Sequence, residues 1–222
     1  MEKSADNPFA AVVTALHQSG CRYVIVGGFA VVMHGSSRFT PDINIALDLE
    51  AKNLQDGLLA LSGAGLTCAS SKECLDFLQP EVRRRLYDPA TQGKRFFSLR
   101  SDQFPMFSVE LFYEAPLPFN ELFSTAVMLK FSEGALRICS VAQLIKMKEM
   151  ARRTQDLMDL DNLKTLQILE RLKVNEPIDW TVLHEAEPPV DDDRVMDLVS
   201  FRTLPAGEKL EWLYRMLQVL GG

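Results

Sequence analysis

Two short segments near the N-terminus constrain the fold more than any other part of the sequence. Residues 23–30 read Tyr-Val-Ile-Val-Gly-Gly-Phe-Ala, an apolar and β-branched run that is typical of a buried strand and that stops at two glycines before a short helical segment. Residues 38–44 lead into a second strand, on which Asp42 and Asn44 share one face because side chains alternate along a strand. A helix that starts at a glycine turn presents backbone N–H groups to an anion. The pattern therefore predicts a polyphosphate site with a metal.

The composition describes an ordinary globular protein with enough apolar residues for a core. The 222 residues are 47% hydrophobic and 24% charged. The longest apolar run, residues 24–33, is interrupted by two glycines and is too short to cross a bilayer. The N-terminus carries Glu2 and Asp6 instead of the basic segment that opens a secretory signal. These features predict a cytoplasmic protein with no membrane partner.

The cysteines and the charge exclude some classes of site. Cys21, Cys68, Cys74 and Cys139 show no metal-site spacing, so we expect buried thiols in a reducing compartment. The net charge of -6 argues against a protein that coats nucleic acid. The main basic cluster, residues 83–85 with residues 94–95, has two interpretations: a solvated helix face or a local landing site for RNA.

The order of the remaining patterns predicts an α/β (α+β) fold. We expect a mixed sheet flanked by helices in residues 1–139, with a helical C-terminal part, residues 140–222, packed on it. Residues 107–113 alternate, so that Ser108, Glu110 and Phe112 share the face opposite to the apolar residues. The capping box at residues 140–143 predicts a helix from residue 141, and a second helix follows from about residue 156. The acidic, proline-rich residues 185–193 predict a loop. We expect the methionines at 147, 150 and 158 to fill the core between the two helices.

Two blocks of this sequence resemble the polymerase-β-like nucleotidyltransferases, and within them the minimal and AbiEii-type toxin group. The resemblance rests on a double-glycine turn before an acidic strand, and on a downstream Lys-x-x-Ala-x-Arg-x-x-Asp-x-x-Asp pattern on a helix pair. The residues that carry it are Gly27, Gly28, Ala30, His34, Gly35, Arg38, Thr40 and Asp42 in the first block, and residues 144–148 with Ala151, Arg153, Asp156 and Asp159 in the second. The two blocks run from residue 21 to about residue 163, and the later residues are unmatched.

The resemblance implies transfer of a nucleoside monophosphate from an NTP, with release of pyrophosphate. It also implies Mg2+ (or Mn2+), with two ions that bridge the attacking and leaving oxygens. The implied metal set is Asp42, Asn44 and Glu110, of which Asp42 is the primary ligand and Glu110 prepares the acceptor hydroxyl. The implied partners are the nucleotide and an acceptor that is tRNA, another RNA, or a partner such as an antitoxin protein.

The resemblance also implies which residues bind the nucleotide. Gly27 and Gly28 would hold the phosphates and Arg38 would pair with a triphosphate oxygen. Asn44, Lys148 and Arg153 complete the implied nucleotide-binding set.

Two residues depart from the family pattern. Asn44 stands where the family has a second carboxylate, and Phe29 follows the two glycines where a small hydroxyl residue is common. An amide oxygen can coordinate a metal but supplies no charge, so one ion should bind more weakly. A slow enzyme, a catalytically degenerate binder of nucleotide or partner protein, and a plain α/β interaction module all stay open at this point.

Overall fold

A seven-stranded mixed β-sheet forms the centre of the molecule in the computed structural model, which describes residues 7–87, 96–171, 181 and 192–221. The strands are β1 (Tyr23–Val26), β2 (Asp42–Leu47), β3 (Leu66–Cys68), β4 (Phe96–Ser101), β5 (Ser108–Phe112), β6 (Val127–Phe131) and β7 (Gly134–Ile138). Their order across the sheet is β3-β4-β5-β2-β1-β7-β6. The mixed sheet with flanking helices confirms the predicted α/β fold class.

Strands β1, β2 and β5 form the centre of the sheet. β2 runs antiparallel to β1 and parallel to β5, and β1 is parallel to β7. All four residues of β1 are buried, as its β-branched sequence predicts. In β5, Val109 and Leu111 are buried whereas Ser108, Glu110 and Phe112 are partly exposed. The predicted alternation of β5 is therefore confirmed, and one face of the central sheet is open at this place.

Eight helices accompany the strands among the described residues up to residue 171. They are α1 (Pro8–Ser19), α2 (Gly27–His34), α3 (Ala51–Gly63), α4 (Ser71–Leu78), α5 (Pro80–Leu86), α6 (Phe119–Ser124), α7 (Val141–Ala151) and α8 (Thr154–Arg171). Proline separates α4 from α5, as expected from its missing N–H and restricted φ. The start of α7 is the predicted capping box, in which the Ser140 side chain accepts from the backbone N–H of Gln143 and the Gln143 side chain accepts from that of Ser140.

Two further helices close the described chain, α9 (Asp192–Thr203) and α10 (Ala206–Gly221). The ammonium group of Lys209 on α10 donates to the carbonyl oxygens of Met33 at 3.0 Å and Arg202 at 3.1 Å. It therefore ties the C-terminal ends of α2 and α9 together, where helices leave carbonyl groups without intrahelical partners. The predicted boundary between residues 1–139 and 140–222 stays a prediction.

Several details differ from the expectations. Cys68 and Cys74 form a disulfide, so these two are not free thiols, whereas Cys139 is a buried thiol. Met150 and Met158 are 68% and 61% exposed, so the prediction that they fill the core is wrong. Strand β3 lacked a sequence signal because it has only three residues.

The predicted loop at residues 185–193 overlaps the start of a helix. Residues 192 and 193 already belong to α9, and the rest of the predicted loop, residues 185–191, lies outside the described residues.

Within residues 7–87, 96–171 and 192–221, no helix combines the length and the apolar character that crossing a bilayer requires.

Candidate active site

Polar side chains of β2 and β5 form a row on the open face of the sheet. The parallel register pairs Asp42 with Ser108 and Asn44 with Glu110. The amide nitrogen Nδ2 of Asn44 donates to Oε2 of Glu110 at 2.8 Å. The structure therefore brings together the three side chains that the sequence singled out on separate strands.

Asp42 and Glu110 differ in their surroundings. The hydroxyl of Thr40 donates to Oδ1 of Asp42 at 2.7 Å, which fixes the orientation of that carboxylate. Burial raises the pKa of Glu110, and the nearby charge of Asp42 raises it further, against the hydrogen bond from Asn44 and the charges of Arg153 and Arg100. Two carboxyl groups on one face repel each other, so the row favours a bound cation.

The double-glycine turn lies directly against this row. Gly27 has φ +67°, a conformation that favours glycine, and a Cβ atom at this position would lie 2.1 Å from Oδ1 of Asn44. Helix α2 begins here after Val26, and no side chain among the described residues caps it. The first backbone N–H groups of α2 are thus left for another acceptor beside the polar row.

Arg38 connects the glycine turn to the C-terminal helices. A Cβ atom on Gly28 would lie 2.4 Å from Nη2 of Arg38, so the guanidinium group packs against the turn. The same group contacts Asp159 on α8, with Nε 2.7 Å from Oδ1 and Nη2 donating to Oδ2 at 3.0 Å. The side chain of Arg38 is 21% exposed and that of Asp159 is 1% exposed, so this is a partly buried ion pair.

Lys148 lies in the same buried network. Its ammonium group donates to Asp156 at 2.7 Å and to Asp159 at 2.5 Å. Arg153 also donates to Asp156, through its Nε at 3.0 Å, although the side chain of Arg153 is 74% exposed. Burial acts to raise the pKa of Asp156, but the hydrogen bonds from Lys148 and Arg153 outweigh it and hold that pKa below its usual range. The carboxylates of Asp156 and Asp159 are therefore neutralised by the cationic side chains of Lys148, Arg153 and Arg38.

A cavity of about 300 Å³ opens beside the polar row, between the sheet and helix α7. Its polar wall contains five of the residues described above, and its apolar wall comes from the ends of β4 and β5 and from α7. The polar wall consists of Gly27, Asn44, Lys148, Arg153 and Asp156 together with Glu114 and Tyr87, and the apolar wall includes Phe96, Phe112, Pro116, Leu144, Met147 and Met150. The rings of Phe96 and Phe112 lie with centroids 4.6 Å apart. A small pocket with aromatic walls and a few converging polar groups is typical of a site for a small molecule.

The apolar wall was not predicted from the sequence. Phe112 stands in the same alternating series as Glu110, and Phe96 pairs with Phe112 across β4 and β5. Their alternation was the available signal, but it does not show that the edge of the sheet and α7 enclose a cavity. Met150 was assigned to the core and instead lines this cavity.

The basic cluster is only partly within the described residues. Arg83 is 5% exposed and donates to the carbonyl oxygen of Phe77 at 2.6 Å, so it is a buried structural residue. Arg84 and Arg85 are exposed. Residues 94–95 lie outside the part of the chain that the structure describes. Arg83 therefore belongs neither to a solvated helix face nor to an RNA landing site, and both interpretations stay predictions for the exposed Arg84 and Arg85.

Comparison with known proteins finds similar solved structures at low sequence identity and no matching family. No family model matches the chain, and no curated protein matches it. Among solved structures, it is similar to JHP933 from Helicobacter pylori, with 15% identity and a TM-score of 0.43 over 100% of this chain and 93% of that one. It is also similar to a "putative nucleotidyltransferase from H. pylori", with 16% identity and a TM-score of 0.42 over 100% of this chain and 96% of that one. TM-scores below 0.5 at such identity establish neither a shared fold nor a shared activity.

Proposed function

We propose that this chain binds a nucleoside triphosphate with Mg2+ (or Mn2+) and transfers its nucleoside monophosphate to a hydroxyl group of an acceptor. The observation that carries the proposal is the contact between the glycine turn and the polar row, where Gly27 lies against Asn44 and Asn44 donates to Glu110. This contact sets an uncapped helix start beside two carboxylates. The backbone N–H groups at the helix start suit the phosphates, and the two carboxylates suit the cation, so both parts of a metal–triphosphate have a place.

The phosphates would lie at the start of α2. Gly28 lacks a side chain, which leaves room for the guanidinium group of Arg38 directly beside the helix start, where the backbone N–H groups could bind a phosphate oxygen. The guanidinium group of Arg38 carries five N–H donors, and its contacts with Asp159 and with the carbonyl oxygen of Phe39 leave donors for a phosphate oxygen. Lys148 and Arg153 add positive charge at the wall of the cavity. Asp159 would hold Arg38 in the orientation that this role requires.

The donor set of the polar row fits a magnesium ion that arrives with the nucleotide. Mg2+ is usually held by one or two carboxylates together with phosphate oxygens and water. Asp42 and Glu110 supply two carboxylates, with Thr40 orienting the first. When bound, the cation would neutralise charge on the phosphate that is transferred.

The chemistry of the acceptor would fall to Glu110. Its carboxyl group is half-buried, and burial and the charge of Asp42 raise its pKa. We propose that Glu110 accepts the proton of the attacking hydroxyl and that Asn44 orients it through the hydrogen bond to Oε2. The acceptor classes to be tested are tRNA, other RNA and a partner protein.

The nucleoside would occupy the cavity between the sheet and α7. The rings of Phe96 and Phe112 offer a stacking surface for a base, and Met147 and Met150 lie on the side of α7. Every base has an aromatic face, so stacking does not select among them. The cavity therefore supports nucleotide binding, and its aromatic wall does not distinguish one base from another.

A second candidate is a protein that binds nucleotide without transferring it. Asn44 supports this candidate because it supplies no charge at a position where the family resemblance expects a carboxylate. Loss of one preorganised electrostatic contact slows other enzymes by about 10²–10³. The two candidates share the binding site and differ only in turnover.

The experiment that separates them uses the four NTPs labelled at the α-phosphate. The wild-type chain is incubated with each NTP, Mg2+ or Mn2+, and either tRNA, total RNA or a protein extract, and the acceptor is recovered on a gel. Transfer by wild type that is lost in Asp42→Asn supports the enzyme. Binding of NTP by calorimetry with no transfer supports the degenerate binder, and neither binding nor transfer contradicts both.

A further inference from the structure

We propose that this site takes a single divalent cation with its nucleotide, and that Asn44 is the residue that keeps a second cation out. The inference rests on the proposed function, since it concerns the cation that accompanies the nucleotide. It departs from the two-ion arrangement that the family resemblance implies. The reason is that the side chain of Asn44 is uncharged and donates a hydrogen bond to Glu110.

The contact between Asn44 and Glu110 identifies the atom of Asn44 that faces Glu110. A carboxylate oxygen only accepts hydrogen bonds, so the amide group at 2.8 Å from Oε2 must present its nitrogen. The carbonyl oxygen Oδ1 then turns away from Glu110, toward the glycine turn, where a Cβ on Gly27 would lie 2.1 Å from it. Asn44 thus occupies one oxygen of Glu110 with a hydrogen bond at the place where a second cation would have to bind.

The charge near the row is also too small for two cations. Among the described residues, Asp42 and Glu110 are the only carboxylates of the row, and the exposed Glu114 lies on the wall of the neighbouring cavity. Two carboxylates of α8 are already paired, Asp156 with Lys148 and Arg153, and Asp159 with Lys148 and Arg38. No group of three or more His, Cys, Asp and Glu side chains able to hold a metal occurs in the described part of the chain. A cation at this site therefore needs the phosphates of the nucleotide as further ligands.

An aspartate at position 44 would reverse this arrangement. Its carboxylate oxygen would lie near 2.8 Å from that of Glu110, where two acceptors repel unless a cation lies between them. The variant Asn44→Asp should therefore create the second cation site and lose stability when no cation is present. The control variant Asn44→Ala removes the same hydrogen bond but adds no charge.

The experiment counts Mn2+ on the full chain in the presence of α,β-methylene nucleoside triphosphates, which cannot release pyrophosphate. Equilibrium dialysis followed by metal analysis gives the number of Mn2+ ions per bound nucleotide. Electron paramagnetic resonance distinguishes an isolated Mn2+ from two ions about 3.5–4 Å apart, because such a pair is spin-coupled. Thermal melting with and without Mn2+ reports the stability of each variant.

We expect one uncoupled Mn2+ per nucleotide in wild type and in Asn44→Ala, and two coupled ions in Asn44→Asp. We also expect Mn2+ to raise the melting temperature of Asn44→Asp more than that of wild type. Two coupled ions in wild type would overturn the inference and leave the proposed function intact. A single ion in folded Asn44→Asp would overturn the role given to Asn44, and if that variant does not fold, the counts for wild type and Asn44→Ala decide. Absence of any bound nucleotide would contradict the proposed function itself.

Discussion

Arg38 and Asp159 form a partly buried ion pair across 121 residues of sequence. Arg38 follows the glycine turn, and Asp159 lies on α8, so the pair joins the phosphate end of the candidate site to the C-terminal helices. Asp159 also accepts from Lys148 at 2.5 Å. The carboxylate of Asp159 therefore positions the side chains of Arg38 and Lys148, both of which the proposed function assigns to nucleotide binding.

The first prediction concerns this carboxylate. Asp159→Asn leaves the partly buried Arg38 without its partner charge and removes one of the two partners of Lys148. It should lower the free energy of unfolding by about 3 kcal/mol, the lower end of the cost of breaking a buried pair. Urea denaturation followed by circular dichroism measures the change. The control is Glu211→Gln, which breaks an exposed pair with Arg215 and should cost less than about 0.5 kcal/mol. Equally small losses of unfolding free energy in Asp159→Asn and Glu211→Gln would show that the pair of Arg38 with Asp159 does not stabilise the fold.

A second prediction separates backbone strain from contact at the glycine turn. Gly20 and Gly27 both have φ +67°, but a Cβ on Gly20 meets nothing within 4 Å, whereas a Cβ on Gly27 would lie 2.1 Å from Asn44. Gly20→Ala should lose about 1–2 kcal/mol of stability from strain alone. Gly27→Ala should lose more and should also abolish nucleotide binding, because it displaces Asn44. Denaturant unfolding and calorimetry give the two quantities, and unchanged nucleotide affinity in folded Gly27→Ala would refute the assignment of the turn.

The aromatic wall of the cavity gives a third prediction. Phe112→Ala removes a stacking surface worth about 1–3 kcal/mol per base, so the Kd for Mg-NTP should rise about 5- to 150-fold. Phe119→Ala is a matched control, because Phe119 packs against Phe123 at 5.7 Å and does not line the cavity. Its Kd should stay within about twofold of wild type. A similar affinity in all three proteins, each checked for folding by thermal melting, would place the base elsewhere.

The fourth prediction is a pH dependence of stability that arises at the C-terminal end of α2. Nε2 of His34 lies 2.7 Å from the carbonyl oxygen of Cys139, and burial, together with the charges of Lys209 and Arg202, lowers the pKa of His34 to about 4. The unfolded chain binds this proton near pH 6.5 and the folded chain does not, so stability falls as the pH falls from about 6.5 to about 4. The loss is about 3 kcal/mol at most, since one pKa unit corresponds to about 1.36 kcal/mol.

The control for His34 is Gln, which keeps an N–H donor for Cys139 and does not titrate. Unfolding free energies of wild type and His34→Gln, measured from pH 7 to pH 4, should diverge as the pH falls, with wild type losing more. Parallel curves would show that His34 has an ordinary pKa in the folded chain.

The sequence predicted the parts of the site that depend on local pattern. Alternation placed Asp42 with Asn44 and placed Glu110 with Phe112, and the glycine pair marked the start of α2. The prediction of Arg38 as a phosphate residue did not include its pairing with Asp159, because that contact depends on how α8 docks. Such docking is a long-range property that no local spacing encodes.

Two other outcomes have the same physical origin. Met150 carries an apolar side chain at helical spacing, but which side of α7 faces solvent depends on the helix that packs against it. Cys68 and Cys74 are six residues apart, and their pairing depends on the turn from β3 into α4. The packing of the helices therefore decides whether Met150 is exposed, and the path of the chain from β3 into α4 decides whether the two cysteines meet.

The most direct test of the central claim is a calorimetric titration of wild type and Asp42→Asn with α,β-methylene nucleoside triphosphates in the presence of Mg2+. If the glycine turn and the carboxylates of β2 and β5 form one metal–nucleotide site, wild type binds at least one of the four nucleotides and Asp42→Asn binds it at least tenfold more weakly. Equal affinity in the two proteins, or no heat with any nucleotide in wild type, would contradict the claim.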